Sequence, residues 1–252
     1  MTWAGTGEAF AASYAALCAG TGDRLREIAG PARGRSLLDV GAGDGTLAAA
    51  WAEAGWHVVA AEPEPSMREV ARAAHPDLRI IHDGPPHLSL ETDSFDVVTA
   101  NFVLNHVSDP RIAAAELRRV ARGLVIATTW SASPTALWGD VIARADLTPV
   151  PAGRLPAEKD FERTAEGFAG MLADVGWHAE VAELTWTWHA DPEALWRSVA
   201  GGVAGAGAFY LTLPDADRER FRSAFDALVA ERADDGRMPM TQTAAIAVER
   251  LS

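Results

Sequence analysis

The chain has 252 residues, 48 % of them hydrophobic, enough for one α/β domain with or without a lid; a chain of this size buries about 70–75 % of its unfolded surface. Its net charge of −13 and the lack of any basic run argue against a nucleic-acid partner, whose phosphates are met by clustered Lys and Arg. The single cysteine, Cys18, rules out an internal disulfide or a cysteine-rich zinc cluster, and no carboxylates are grouped for another metal. The opening segment MTWAGTGEAFAASYAALCAG contains Glu8 and lacks the positive region of a secretory signal. No apolar run reaches the ~18 residues of a membrane span, so a cytoplasmic location without a membrane partner is expected. The Arg-over-Lys bias with abundant Ala and Gly suits a GC-rich bacterial genome.

Residues 8–30 read as helix, in one or two pieces around Gly20-Thr21-Gly22. Phe10 and Tyr14 share one face, suited either to core packing or to covering a ligand. Leu37, Leu38 and Val40 then form a short strand that runs into LLDVGAGDG, with Gly41, Gly43 and Gly45 giving a turn free of Cβ atoms, and a helix opens at Thr46. Free N–H groups and the positive end of the helix dipole attract negative or polar ligand groups there. A dinucleotide fingerprint needs its third glycine where Thr46 stands, so an NAD-dependent oxidoreductase is the weaker reading. Asp39 precedes the first glycine by two positions; a nicotinamide site has no need of it, whereas a cofactor bearing an amino acid and a sulfonium does. Here the sequence resembles the class I S-adenosylmethionine-dependent methyltransferases, whose first motif reads like LLDVGAGDG. The resemblance implies S-adenosylmethionine as cofactor, with Asp39, Gly41, Ala42, Gly43 and Gly45 in its site.

The next strand, WHVVAA, ends in Glu62, where nucleotide-binding α/β folds place a carboxylate on the ribose hydroxyls. The family follows this acid with proline and then a methionine that packs on adenine; Pro63 and Met67 fill those places. Glu64 is a second carboxylate nearby, with Glu62 favoured for the ribose, and Ser66 reads as the N-cap of MREVARAA. A third strand over 78–82 closes on Asp83-Gly84. By resemblance Asp83 meets the adenine amino group and Gly84 lets the ring approach; the residues alone read as a turn. SFDVVTANFVLNHVSDP gives a fourth strand, after which Asn101 and Phe102 line the methyl-donor pocket by resemblance. His106, just beyond, is the candidate catalytic base, because a neighbouring sulfonium depresses its pKa and favours the neutral form; simple packing is the plainer reading.

A fifth strand covers 123–130, after the helix RIAAAELRRVA. Past it come a helix near 135–145, the proline-rich TPVPAGRLPAE, a helix at 164–174, an alternating strand at 178–189 and a last strand at 243–250. The expected fold is a Rossmann-like, doubly wound α/β sheet of seven strands, five parallel plus the terminal antiparallel pair that the family implies. The expected organisation is a single domain over 1–252: a helical cap at 1–35, a cofactor-binding half at 36–130, and a substrate-side half at 131–252 with lid helices around 191–240. Asp191-Pro192 is a helix start, and GGVAGAG at 201–207 reads as a flexible joint, not a second nucleotide loop, since no strand precedes it. Trp130, Trp138, Trp196, Phe209 and Tyr210, with Tyr14, are candidate walls for a small apolar or aromatic acceptor, although a lid also needs its own core. Trp186 and Trp188 share one strand face. Asn101 is followed by Phe102-Val103-Leu104, not by Pro-Pro-aromatic, which weakens nucleobase and glutamine acceptors. The expectation is methyl transfer to an O- or N-nucleophile of a small molecule by a monomer or homodimer, without metal. A non-catalytic S-adenosylmethionine-binding protein is the alternative of another class.

Overall fold

The computed structural model describes residues 3–134, 136–149 and 155–251. Part of the proline-rich segment and the expected helix start at Thr135 lie outside the described residues. Five strands, β1 (Ser36–Val40), β2 (His57–Ala61), β3 (Arg79–Ile81), β4 (Phe95–Ala100) and β5 (Ala121–Trp130), lie parallel and are joined through helices, except that a loop links β3 to β4. Two more, β6 (Glu180–Ala190) and β7 (Met238–Arg250), form an antiparallel pair in which β7 also runs antiparallel to β5, and the seven form one sheet in the order β3-β2-β1-β4-β5-β7-β6. The expected architecture is therefore present. β7 starts earlier than its apolar TAAIAVER stretch, because Met238–Thr241 continue the ladder with Trp188 and its neighbours on β6.

The parallel strands carry near-continuous apolar runs because helices cover both sheet faces. One face buries Leu38, Val40, Val98 and Val125 under α6 (Pro110–Val120) and α8 (Ala165–Ala173), with Leu117, Phe168 and Trp177 in that layer. The other buries Leu37, Val97 and Ile126 against Leu25 of α3 (Gly22–Ala29) and Trp51 of α4 (Thr46–Glu53). The N-terminal segment is more broken than expected: α1 (Gly7–Ala11), α2 (Tyr14–Cys18) and a 3₁₀ turn over Ala19–Thr21 precede α3.

Capping acids set several helix starts. Glu64, Asp109 and Asp191 each accept a hydrogen bond from a first-turn N–H and are followed by proline, opening α5 (Pro65–Ala74), α6 and α9 (Pro192–Ala200). Ser66 is thus not the N-cap; Glu64 takes that place, because Pro65 supplies the first helical residue without needing a donor. A separate lid core forms from α7 (Ala136–Arg144), α9, α10 (Ala204–Thr212) and α11 (Asp215–Arg232) around Trp138, Leu195, Phe221 and Phe225. The GGVAGAG segment is not a loose joint. A Cβ on Gly201 would meet Ala9 at 2.3 Å and one on Gly207 would meet the Gly202 backbone at 2.4 Å, so the glycines allow close packing.

Candidate active site

Strand order reverses between β1 and β4, and a crevice opens beyond the carboxyl ends of strands at such a switch point. A cavity of about 810 Å³ lies there, within the usual size of a ligand site. Its first wall is the turn after β1. Gly41, Gly43 and Gly45 all have positive φ, between 59° and 82°, which a side chain would strain. Gly41 and Ala42 donate to the Ala61 carbonyl at 2.7 and 3.2 Å, which clamps the turn to the end of β2. Gly45 differs from its partners: it faces Ala71 and His75 of α5 and serves as the left-handed cap of α4, outside the cavity.

Glu62 follows β2 and is only 6 % exposed. Its two carboxylate oxygens accept from the N–H groups of Gly43 and Glu64, each at 2.8 Å. Burial pushes its pKa up, and those backbone donors together with the nearby Arg68 guanidinium pull it back. Arg68, itself buried, donates to the carbonyls of Glu62 and Pro63 at 2.8 and 2.6 Å and so fixes the loop that carries the acid. Glu64 also borders the cavity, but its carboxylate caps α5 and receives the Gly5 N–H. Asp39 lies at the cavity floor with its carboxylate on Thr99 Oγ1 at 2.9 Å. Burial, reinforced by the charges of Glu62 and Asp44, raises its pKa to about 7.

Pro63 and Met67 line the cavity as expected; Asp83 and Gly84 do not. Both carboxylate oxygens of Asp83 are taken by the N–H groups of Gly84 and Ser89, and Gly84 packs against Pro63. The turn reading of that pair is the one the backbone realises, and Pro85 reaches the cavity in their place. Asn101 borders it, yet its side chain is committed elsewhere: its Oδ1 accepts from Thr21 and Thr128, and its Nδ2 donates to the Cys18 carbonyl. This amide ties the N-terminal cap to β4 and β5.

Phe102 has φ +58°, a left-handed conformation that costs a non-glycine residue about 1–3 kcal/mol. Its N–H donates to Thr128 Oγ1 at 2.8 Å, and its ring stacks on Trp130 at 3.7 Å and 5°. Trp186, from β6, extends the stack at 5.7 Å from Trp130. Opposite stand Trp3 and Phe10, in edge contact at 5.9 Å, and Trp3 also meets the His106 ring at 5.0 Å. His106 Nε2 is 2.9 Å from Asn105 Nδ2, and burial pushes the imidazole pKa down to about 4, with the Arg163 charge adding to the effect. Among the described residues, Asn105 Oδ1, His106 Nδ1 and Ser131 Oγ are shielded and unpaired, and all three residues line the cavity.

Of the aromatic residues expected to wall the acceptor space, Tyr14 and Trp130 do so. Trp138, Trp196, Phe209 and Tyr210 do not; they pack with Phe221 and Phe225 in the lid core, because lid helices without a shared apolar interior have nothing to hold them together. Trp138 still reaches the site indirectly, its Nε1 donating to Tyr14 Oη at 2.9 Å. Burial lifts the Tyr14 pKa to about 12, so this phenol is a buried strut. Lining residues that sequence reading missed include Trp3, Asn105, Ser131, Arg163, Val203 and Ala204. Only Val203 and Ala204 left a trace, in the glycine-rich segment that places them against the cavity.

Residues 38–126 match the methyltransferase domain family. A demethylmenaquinone methyltransferase of Clavibacter sepedonicus is 38 % identical over 112 residues, covering 42 % of this chain and 46 % of that protein. A malonyl-[acyl-carrier protein] O-methyltransferase of Serratia marcescens is 31 % identical over 134 residues, 52 % of each chain. The chain thus spans about half the length of the relatives it matches. Among solved structures, the YcgJ protein of Bacillus subtilis aligns over 92 % of this chain and 99 % of its own, with a TM-score of 0.59 at 17 % identity, a likeness of fold. Sheet order, glycine turn and strand-end acid accompany the match of residues 38–126 to the methyltransferase domain family, on a fold shared with the solved structure above.

Proposed function

We propose that this protein transfers a methyl group from S-adenosylmethionine to a small-molecule acceptor held in the aromatic part of the cavity. The observation that carries this reading is Glu62: a buried strand-end carboxylate, locked by two backbone donors, opening on the same space as the bare glycine turn. The residues present fit the cofactor. Glu62 would grip the ribose hydroxyls, Pro63 and Met67 offer apolar flanks for adenine, and Asp39 and the Gly41–Gly43 backbone would hold the amino-acid end. The bound cofactor supplies an electrophilic methyl on a sulfonium cation.

The protein's own contribution is alignment and exclusion of water, which accounts for several kcal/mol of a displacement barrier. Trp3, Phe10, Phe102 and Trp130 close the aromatic part against solvent. His106 is neutral at neutral pH, chiefly because burial lowers its pKa, with the Arg163 charge adding to the effect. With Nε2 accepting from Asn105 Nδ2, the neutral ring carries its proton on Nδ1, from which it donates to the acceptor hydroxyl oxygen and orients it. A conjugate acid of pKa about 4 makes it a weak base, so acceptor orientation is its larger role.

Isothermal titration with S-adenosylhomocysteine, followed by mass spectrometry of acceptor mixtures incubated with S-adenosylmethionine, tests the proposal. Heat with the nucleoside and a gain of one methyl in an acceptor are expected. Heat with a nicotinamide nucleotide and none with S-adenosylhomocysteine would overturn it; cofactor binding without any methyl gain would favour the non-catalytic binding protein.

A further inference from the structure

Charge is divided unevenly across the cavity. Its carboxylates, Asp39, Asp44, Glu62 and Glu64, all lie on the side of the β1 turn and the β2 end. The segments that carry Phe102 and Trp130, residues 101–108 and 130–134, bring no acidic residue to the cavity. The cation there, Arg163, is held by Asp160 at 2.9 Å and stacks on Phe161. Tyr14 and Cys18 have pKa values raised to about 12 by burial, which leaves them neutral. That part of the cavity therefore has an aromatic border, the stacked Phe102 and Trp130 rings, and no uncommitted charge.

Its unpaired polar groups are neutral too: a carbonyl oxygen on Asn105, a ring nitrogen on His106 and a hydroxyl on Ser131. Such a set matches a group that donates and accepts at one atom. An ammonium would find no counter-ion and would sit beside the sulfonium, and a carboxylate or phosphate would have to take Arg163 from Asp160. Resting on the methyl-transfer reading above, we propose that the acceptor is a flat, uncharged hydroxyarene, a phenol or hydroquinone of one or two fused rings. Its ring lies in the space bordered by Phe102 and Trp130, and its hydroxyl is met by His106, Asn105 and Ser131. On methylation the hydroxyl oxygen bonds to the methyl group as the carbon–sulfur bond breaks. The hydroxyl proton leaves to solvent, and S-adenosylhomocysteine is the other product.

Three probes of one carbon frame separate the classes: 2-naphthol, 2-naphthoic acid and 2-naphthylmethylamine, neutral, anionic and cationic at pH 7. Each is titrated into protein saturated with S-adenosylhomocysteine, with heat and tryptophan fluorescence as readouts, and each is assayed for methyl gain with S-adenosylmethionine. 2-Naphthol is expected to bind at least about tenfold more tightly than either charged probe, the worth of roughly one well-made hydrogen bond or avoided charge burial. Ser131→Ala is expected to narrow that ratio while leaving S-adenosylhomocysteine affinity unchanged. A charged probe that binds as well as the naphthol, or a ratio untouched by Ser131→Ala, Asn105→Leu and His106→Ala alike, overturns the inference. Failure of S-adenosylhomocysteine itself to bind would instead bring down the underlying methyl-transfer reading, so the two failures are distinguishable.

Discussion

The cofactor-side half and the lid half are both rich in apolar residues, but different physics holds them. From β1 to β5 the site residues sit on strand ends and tight turns, fixed by backbone hydrogen bonds across neighbouring strand ends, as Gly41 and Ala42 are to Ala61 and Glu62 is to Gly43 and Glu64. In the lid, Trp138, Trp196, Phe221 and Phe225 are held by one another and meet the site through the Trp138–Tyr14 hydrogen bond, while Ala204 and Gly205 of α10 line the cavity directly. A change in the first half should therefore alter binding while sparing the fold. A change in the second should alter the fold and reach binding through Tyr14.

The largest expected effect tests the lid side of this contrast. Trp138→Ala removes a side chain that is 2 % exposed and should cost about 3–5 kcal/mol of stability in urea unfolding. Tyr14→Phe leaves the indole N–H of Trp138 unpaired and should cost about 1–2 kcal/mol. If Trp138→Ala unfolds no more easily than the parent chain, the lid core is not the structural unit described. On the other side, Glu62→Gln should weaken S-adenosylhomocysteine binding by about 1.5–3 kcal/mol, roughly ten- to a hundred-and-fiftyfold, with little change in the urea midpoint. An equal loss of stability would erase the difference between the halves.

His106→Ala lies at the border of the two and should lower kcat by about ten- to a hundredfold, at or below the usual range for proton transfer, with cofactor affinity retained. Because the imidazole pKa is about 4, the parent activity should show no histidine inflection between roughly pH 5.5 and 8. An inflection near 6.5 that disappears in the variant would show that the ring is solvated and the site more open than described.

The same contrast explains what could be read from sequence. The glycine turn, Glu62 and the acid–proline helix starts are local, so residue type and spacing carry them. Ser66 was misread because serine is the commoner cap, and the preceding Glu64-Pro65 pair changed the register by two. Asp83-Gly84 had two readings; both Asp83 oxygens accept backbone N–H groups of the turn, and neither residue borders the cavity. The lid aromatics defeated the reading for another reason. Composition says that Trp138, Trp196, Phe209 and Tyr210 are buried, but which interior they enter depends on helix packing with no local signature. Trp3, Ser131 and Arg163 come to the cavity from three distant parts of the chain, and nothing near them in sequence reports that meeting.

The smallest expected effect is the most specific to the cofactor side. Asp39 has a pKa of about 7 in the folded, ligand-free protein against 3.8 for the unfolded chain, so folding favours its protonated form. Its contribution to stability is full below about pH 3.8 and is lost as pH rises through 7, because the folded protein is then left with a buried carboxylate. A cation bound nearby reverses the preference. S-adenosylmethionine should therefore release up to about one proton on binding near pH 7, seen as a binding heat that varies with the ionisation enthalpy of the buffer. Its thermal stabilisation should grow from pH 5.5 to 8. Asp39→Asn, which keeps an acceptor for the Thr99 hydroxyl but cannot ionise, should remove most of the buffer dependence. Glu62 is also shifted upward and supplies whatever dependence remains, so a buffer dependence that survives in full in Asp39→Asn assigns the proton to Glu62 and breaks the link between Asp39 and the cofactor cation.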